Sequence, residues 1–105
     1  DATNPRAVAA WAYVSEKTGR FQDSETAYRE LSRIDPGRAD GLEGLARLLT
    51  AQGRLQEAAD TRGAAAALQP RSATASIRWA QALSEAGREA EALRVSQEAQ
   101  AMPRR

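Results

Sequence analysis

The apolar positions along this chain follow the spacing of α-helices. Between residues 39 and 52 they recur at intervals of three and four, at Leu42, Leu45, Ala46, Leu48 and Leu49. Such spacing places apolar side chains on one face of a helix. The same pattern along the chain predicts six helices, at residues 5–18, 22–34, 39–52, 55–68, 73–86 and 88–101.

A Gly-Arg pair recurs at a constant interval. Gly19, Gly53 and Gly87 are each followed by Arg, and each lies 34 residues after the one before. Sequence periods of this length are typical of stacked structural repeats. We therefore expect one domain over residues 1–105, built from repeats at 5–38, 39–72 and 73–105, each a pair of antiparallel helices.

The residues that start and stop helices agree with this division. The glycine of each pair can adopt a positive φ, which suits the turn between two helices, and the arginine after it begins the second helix, on the solvated surface. Pro36 and Pro70 end second helices, since proline lacks an N–H and disfavours helical backbone before it. Asn4 and Ser72 are suited to cap the helices that follow them.

Residue size also recurs with the repeat. Trp11, Leu45 and Trp79 occupy one repeat position, where we expect them to fill the space between helices as core residues rather than to stack on a ligand. Small residues at neighbouring positions let the helices approach. Gly63 interrupts the predicted helix 55–68 and costs about 1 kcal/mol relative to Ala, so this helix is expected to be the least rigid.

Composition excludes several kinds of chemistry. Of the 105 residues, 24 are Ala and five are aromatic, so the core must come mostly from small side chains. Fifteen basic and fourteen acidic residues give a net charge of +1, which argues against a nucleic-acid or anionic-lipid partner. The absence of Cys and His excludes disulfides, thiolate or histidine metal sites and His-dependent catalysis. We expect no catalytic residues, cofactor or metal, and no segment inserted in a membrane.

The repeat resembles the tetratricopeptide repeat family. The first repeat carries the residues that bear the likeness: Val8, Trp11, Ala12, Gly19, Phe21, Ser24, Tyr28 and Pro36. The chain departs from the family pattern at Ser15, Arg62, Ser76, Glu89 and Ser96. The resemblance implies an all-α fold, a right-handed α-solenoid of three helix-turn-helix repeats with six antiparallel helices.

The resemblance also implies a concave groove lined by the first helix of each repeat. The candidate binding residues in this groove are Arg6, Tyr13, Lys17, Glu43, Arg47, Ile77, Arg78 and Gln81. We hypothesise that they grip an extended or helical peptide; the alternative is that they are ordinary solvated positions. The carboxylate clamp of the family's chaperone-binding members is not expected, because only Arg78 matches it. Arg6, Arg47 and Arg78 could also receive an acidic segment of a partner. The alternative is that Asp40 and Glu43 pair with these arginines.

Three functions fit these observations. The first is a non-catalytic scaffold that binds a protein or peptide. The second is self-assembly through the end of the third repeat. We expect Glu89 and Ser96 to cover that end in part; the alternative is that further repeats or a capping helix follow it. The third is a regulatory or substrate-positioning segment of a larger enzyme or secretion protein. Fourteen Arg against one Lys, with abundant Ala, favour a bacterial source of high GC content. The apolar runs are too short to cross a bilayer, so we expect a soluble protein, with cytoplasm and periplasm both open as its compartment. A start at Asp1 indicates a fragment or a processed form.

Overall fold

A computed structural model describes residues 4–103, and within that range it contains six α-helices and no strand. The helices are α1 (Pro5–Lys17), α2 (Phe21–Ile34), α3 (Ala39–Ala51), α4 (Leu55–Ala67), α5 (Ala73–Glu85) and α6 (Glu89–Gln100). Each predicted boundary lies within one residue of the observed one. The predicted fold class is confirmed: the chain is an all-α stack of helical hairpins, in which each helix packs against the next along the chain.

The predicted capping and turn residues have the expected geometry. The Asn4 side chain accepts a hydrogen bond from the Arg6 backbone N–H at 2.9 Å, and Ser72 accepts one from Ala75 at 3.1 Å. The glycines of the three Gly-Arg pairs have φ values of 82°, 76° and 84°, a backbone region that disfavours side chains with a Cβ atom. The turn inside each hairpin therefore depends on glycine.

The arginine of the Gly-Arg pair joins successive repeats. Arg54 donates to Glu57 in its own helix at 2.8 Å and to Glu25 of the preceding repeat at 2.9 Å. Arg88 likewise contacts the preceding repeat, donating a hydrogen bond to Asp60 at 2.8 Å. The expectation that these arginines simply face solvent is therefore incomplete, because both also link two hairpins by hydrogen bonds.

Two groups of buried residues form the core. The first lies among the first two repeats and consists of Ala12, Ala27, Tyr28, Leu45, Leu48, Leu49 and Ala58. The second lies among the last two and consists of Ala59, Ala80, Ala82, Leu83, Ala92 and Val95. Helix α4 belongs to both groups, through Ala58 on one side and Ala59 on the other, so it connects the two halves of the core.

Two glycines mark places where helices approach too closely for a side chain. A Cβ atom on Gly44 would lie 2.2 Å from Cε1 of Tyr28, and one on Gly63 would lie 2.9 Å from Nε1 of Trp79. The sequence predicts Gly63 as a weak point in its helix, but in the structure this residue makes room for the indole of the next repeat. The conformational cost of Gly63 in the helix is thus accompanied by a packing contact with Trp79.

The expectation of two core tryptophans is wrong for one of them. Trp79 packs against the second core group, whereas Trp11 is 50% exposed. The difference arises because Trp79 lies against α4 of the preceding repeat, while α1 is the first described helix. At the other end Leu93 is 62% exposed, although the equivalent Ala59 in the second repeat is fully buried. Glu89 and Ser96 therefore leave apolar surface uncovered at that end.

Candidate functional site

A first cavity lies where the first hairpin meets α3. It has a volume of about 280 Å³ and is lined by Ala9, Tyr13, Tyr28, Leu31, Asp40, Glu43 and Arg47. Three of the predicted binding residues, Tyr13, Glu43 and Arg47, lie together here. Tyr13 is 53% exposed, so its ring is accessible on this surface.

A second cavity lies between α3 and α5, over α4. It has a volume of about 330 Å³ and is lined by Arg47, Thr50, Arg62, Arg78, Gln81, Ala82 and Glu85. The predicted residues Arg47, Arg78 and Gln81 lie together in this cavity. Arg47 borders both cavities. We call this surface, made of the residues lining the two cavities, the groove.

A hydrogen-bonded network fixes Arg47 at the centre of the groove. Its guanidinium donates to both carboxylate oxygens of Glu16, at 3.0 and 2.8 Å, and to the Tyr28 hydroxyl at 3.0 Å. The hydroxyl of Tyr28 in turn donates to Glu16 at 2.9 Å. Each of the three side chains therefore contacts the other two, and the bidentate pair orients the guanidinium.

The network shifts the proton affinity of its members. Hydrogen bonding from Arg47 holds the pKa of Glu16 below its ordinary value, against the opposing effect of burial. Burial, with the hydrogen bond to Glu16, raises the pKa of Tyr28 to about 12. Glu16 is thus a carboxylate and Tyr28 a neutral phenol at neutral pH.

The other acidic residues of the groove divide their contacts. Glu43 lies 3.6 Å from Arg78 and accepts a hydrogen bond from Gln69 at 3.1 Å. Asp40 pairs at 2.8 Å with Arg38. Of the expected pairs between Asp40 or Glu43 and the groove arginines, the structure therefore has only the long one between Glu43 and Arg78. Arg47 pairs with Glu16 instead.

The remaining predicted residues lie outside the two cavities. The Lys17 ammonium lies 5.2 Å from the centroid of the Tyr13 ring, a cation–π contact next to the groove. Arg6 is an exposed residue of the first turn of α1. Ile77 is 47% exposed and borders a third cavity, of about 720 Å³, with residues that include Met102 and Pro103 near the end of α6. Ile77 therefore borders a different cavity from Arg47 and Arg78.

Tyr28 and Arg62 are among the groove residues that the candidate list does not contain. From the sequence, Tyr28 is named only as a residue that bears the family likeness, yet its hydroxyl reaches the groove network. Arg62 is noted only as a departure from an aromatic position. In the structure it is a half-buried residue of the second cavity. The sequence did contain a signal for Arg62, because this charged residue lies where the repeat normally carries an aromatic one.

The described residues offer no alternative site based on a metal. Between Asn4 and Pro103, no three Asp or Glu side chains come together in a way that could hold a metal ion. In the same range no helix combines the length and the apolar character needed to cross a membrane.

Comparison with known proteins gives the fold. No protein-family model matches the chain, and no curated protein matches it. Among solved structures, MamA from AMB-1 is 20% identical with a TM-score of 0.78, over 92% of this chain and 53% of that one. The Yersinia enterocolitica type III secretion translocator chaperone SycD is 21% identical with a TM-score of 0.74, over 92% of this chain and 75% of that one.

These likenesses establish the helical-repeat architecture. At such low identity they carry no residue-level correspondence, and the chain spans about half the length of the MamA structure. The resemblance to tetratricopeptide repeats is consistent with the six-helix fold, and membership of that family stays a prediction.

Proposed function

We propose that this chain is a non-catalytic scaffold that binds a peptide or protein segment in the groove. The single observation that carries the proposal is the row formed by Tyr13, Arg47 and Arg78 on three successive odd-numbered helices. Arg47 lines both cavities, with Tyr13 in the first and Arg78 in the second, so one extended segment can contact the whole row. Tyrosine and arginine are the residue types that contribute most strongly to protein interfaces.

Preorganisation supports the same function. Arg47 is held by Glu16 and Tyr28 while its own side chain stays 47% exposed. A side chain that is oriented before binding loses less conformational entropy when a partner arrives. One similar structure is named as a translocator chaperone. That likeness in fold, together with the groove of this chain, supports the proposal of a protein-binding function.

A displayed peptide library provides the test, because no partner needs to be assumed. Peptides selected on the wild-type chain are measured by calorimetry against Tyr13→Ala and Arg78→Ala. We expect each groove variant to weaken binding about tenfold or more, the loss typical of an interface hot spot. Arg94→Ala is the matched control, because Arg94 pairs with Glu98 on exposed α6 outside both cavities. Equal loss with the control, or no loss in the groove variants, would contradict the proposal.

Self-association is a second candidate function, favoured by the apolar surface at the two ends of the stack. Trp11 is 50% exposed on α1 and Leu93 is 62% exposed on α6. Each occupies a repeat position that is covered in an interior repeat. Light scattering over a concentration series tests this candidate: we expect Leu93→Ser to reduce the average mass of any oligomer. A wild-type chain that stays monomeric at high concentration would exclude it.

A further inference from the structure

The first junction between repeats shows how this fold holds a carboxylate. Glu16 on α1 lies between Tyr28 on α2 and Arg47 on α3, and both of these side chains donate hydrogen bonds to it. The Glu16 side chain is only 11% exposed. The acid is thus supplied by the chain itself, and the site at this junction is filled.

The second junction has different residues at the equivalent repeat positions. One repeat of 34 residues further along the chain, Thr50 takes the place of Glu16, Arg62 that of Tyr28, and Gln81 that of Arg47. The three line the cavity of about 330 Å³ together with Arg47 and Arg78. The carboxylate is therefore absent at the position where the first junction has one, while the donors to receive it are present.

Arg62 lacks a partner within the described chain. Between Asn4 and Pro103, no acidic side chain forms an ion pair with its guanidinium, and no group accepts a hydrogen bond from that guanidinium. Burial and the nearby charge of Arg78 lower the pKa of Arg62, against the opposing charges of Glu43 and Glu85. A partly buried charge without a paired acceptor is unfavourable. An anion beside Arg62 should therefore gain more binding free energy than an anion beside a fully solvated arginine.

Arginines outnumber acidic residues among the described side chains that line the cavity. Three arginines border it, and Glu85 is the acidic residue among those side chains. Arg47 is bound by Glu16, and Arg78 has Glu43 at 3.6 Å. Arg62 is therefore the guanidinium with the greatest unmet capacity for an acceptor, and the uncharged Thr50 leaves space beside it.

We propose that this cavity binds an acidic side chain of the partner, whose carboxylate takes the place that Glu16 occupies at the first junction. Arg62 donates to the carboxylate from the floor of the cavity, and Gln81 and Arg78 border it from α5. The proposal rests on the proposed function of the groove and adds its chemistry. The preferred partner segment carries Glu or Asp at the point that crosses the second junction.

Solution NMR of the arginine side-chain Nε–Hε signals tests this inference directly. N-acetyl-glutamate amide and N-acetyl-glutamine amide are titrated into the full chain at equal ionic strength. We expect a saturable shift of the Arg62 signal with the glutamate compound and none with the glutamine compound. The exposed Arg94 is an internal control, and its signal should shift little with either. Arg62→Gln should weaken the binding of the glutamate compound about tenfold or abolish it, and Arg62→Lys should lose less.

Three results would overturn the inference. They are an Arg62 signal that ignores the glutamate compound, equal shifts with both compounds, or a response to inorganic phosphate with none to the carboxylate. Circular dichroism of Arg62→Gln confirms that its helices are intact. Library peptides that still lose affinity in Tyr13→Ala while the Arg62 signal stays silent would leave groove binding in place and reject only its acidic chemistry.

Discussion

The indole of Trp79 lies against Gly63 of the preceding repeat, so closely that a Cβ atom on residue 63 would sit 2.9 Å from Nε1 of the ring. Trp79 also contacts the second core group, which α4, α5 and α6 share. Helix propensity and tertiary packing therefore make opposite demands at residue 63. The contact between them explains why a poor helix former occupies the middle of α4.

Replacement of Gly63 by alanine distinguishes the two demands. Propensity alone predicts that Gly63→Ala stabilises the chain by about 1 kcal/mol. Since the new methyl group must displace a large planar ring, we expect a net loss of about 1–3 kcal/mol in the free energy of unfolding, measured by urea denaturation. Gly37→Ala is the control, because a Cβ atom there meets nothing within 4 Å, and it should be neutral or stabilising. A more stable Gly63→Ala would refute the packing account.

Gly44 should be still less tolerant of a side chain. Its added Cβ atom would lie 2.2 Å from Cε1 of Tyr28, a ring that is 4% exposed and bound through its hydroxyl. We expect Gly44→Ala to lower the free energy of unfolding by about 3 kcal/mol, at the upper end of overpacking effects. The double variant Gly44→Ala with Tyr28→Ala checks the cause: if the clash is responsible, the combined loss will be smaller than the sum of the single losses.

The Glu16–Arg47 pair should make stability depend on pH. The pKa of Glu16 lies below its ordinary value of 4.5 in the folded chain, mainly because Arg47 donates to the carboxylate. The contribution of this pair is therefore complete above that ordinary value and is lost as the pH falls through the lowered one. We expect Glu16→Gln to cost about 1 kcal/mol near pH 7, a modest loss because Arg47 is half exposed.

The difference between wild type and Glu16→Gln should shrink on acidification and nearly vanish once Glu16 is protonated. Urea titrations at several pH values below neutrality measure it. Glu98→Gln is the matched control: its pair with Arg94 is exposed at both ends, so the change should be small at every pH. A difference for Glu16→Gln that stays constant with pH would show that the lost contact is not electrostatic.

The turn glycines should resist substitution for a purely backbone reason. Gly53 has φ +76°, and a Cβ atom on it would meet nothing within 4 Å. Gly53→Ala should therefore cost about 1–2 kcal/mol through left-handed backbone strain alone. Gly53→Asn should cost less, since asparagine tolerates this region better. Equal thermal melting of wild type and Gly53→Ala would show that the turn adopts another conformation.

The sequence by itself determined the local structure of this protein. The interval between Gly-Arg pairs, the spacing of apolar residues and the caps Asn4 and Ser72 defined six helices to within a residue, because turns and helix ends depend on neighbouring residues. It also indicated Tyr13, Arg47 and Arg78 as one surface, since the resemblance placed them on equivalent helices.

Only the tertiary structure decided which side chains meet across repeats. The sequence could not show that Glu16 binds Arg47, that Gly63 accommodates Trp79, that Trp11 is half exposed, or that Ile77 borders a different cavity from Arg47 and Arg78. Nor could it show that the Arg62 guanidinium lies beside a cavity and has no acceptor among residues 4–103. Each of these depends on the distance and angle between helices far apart in the chain, which result from all the packing contacts together and not from any local pattern.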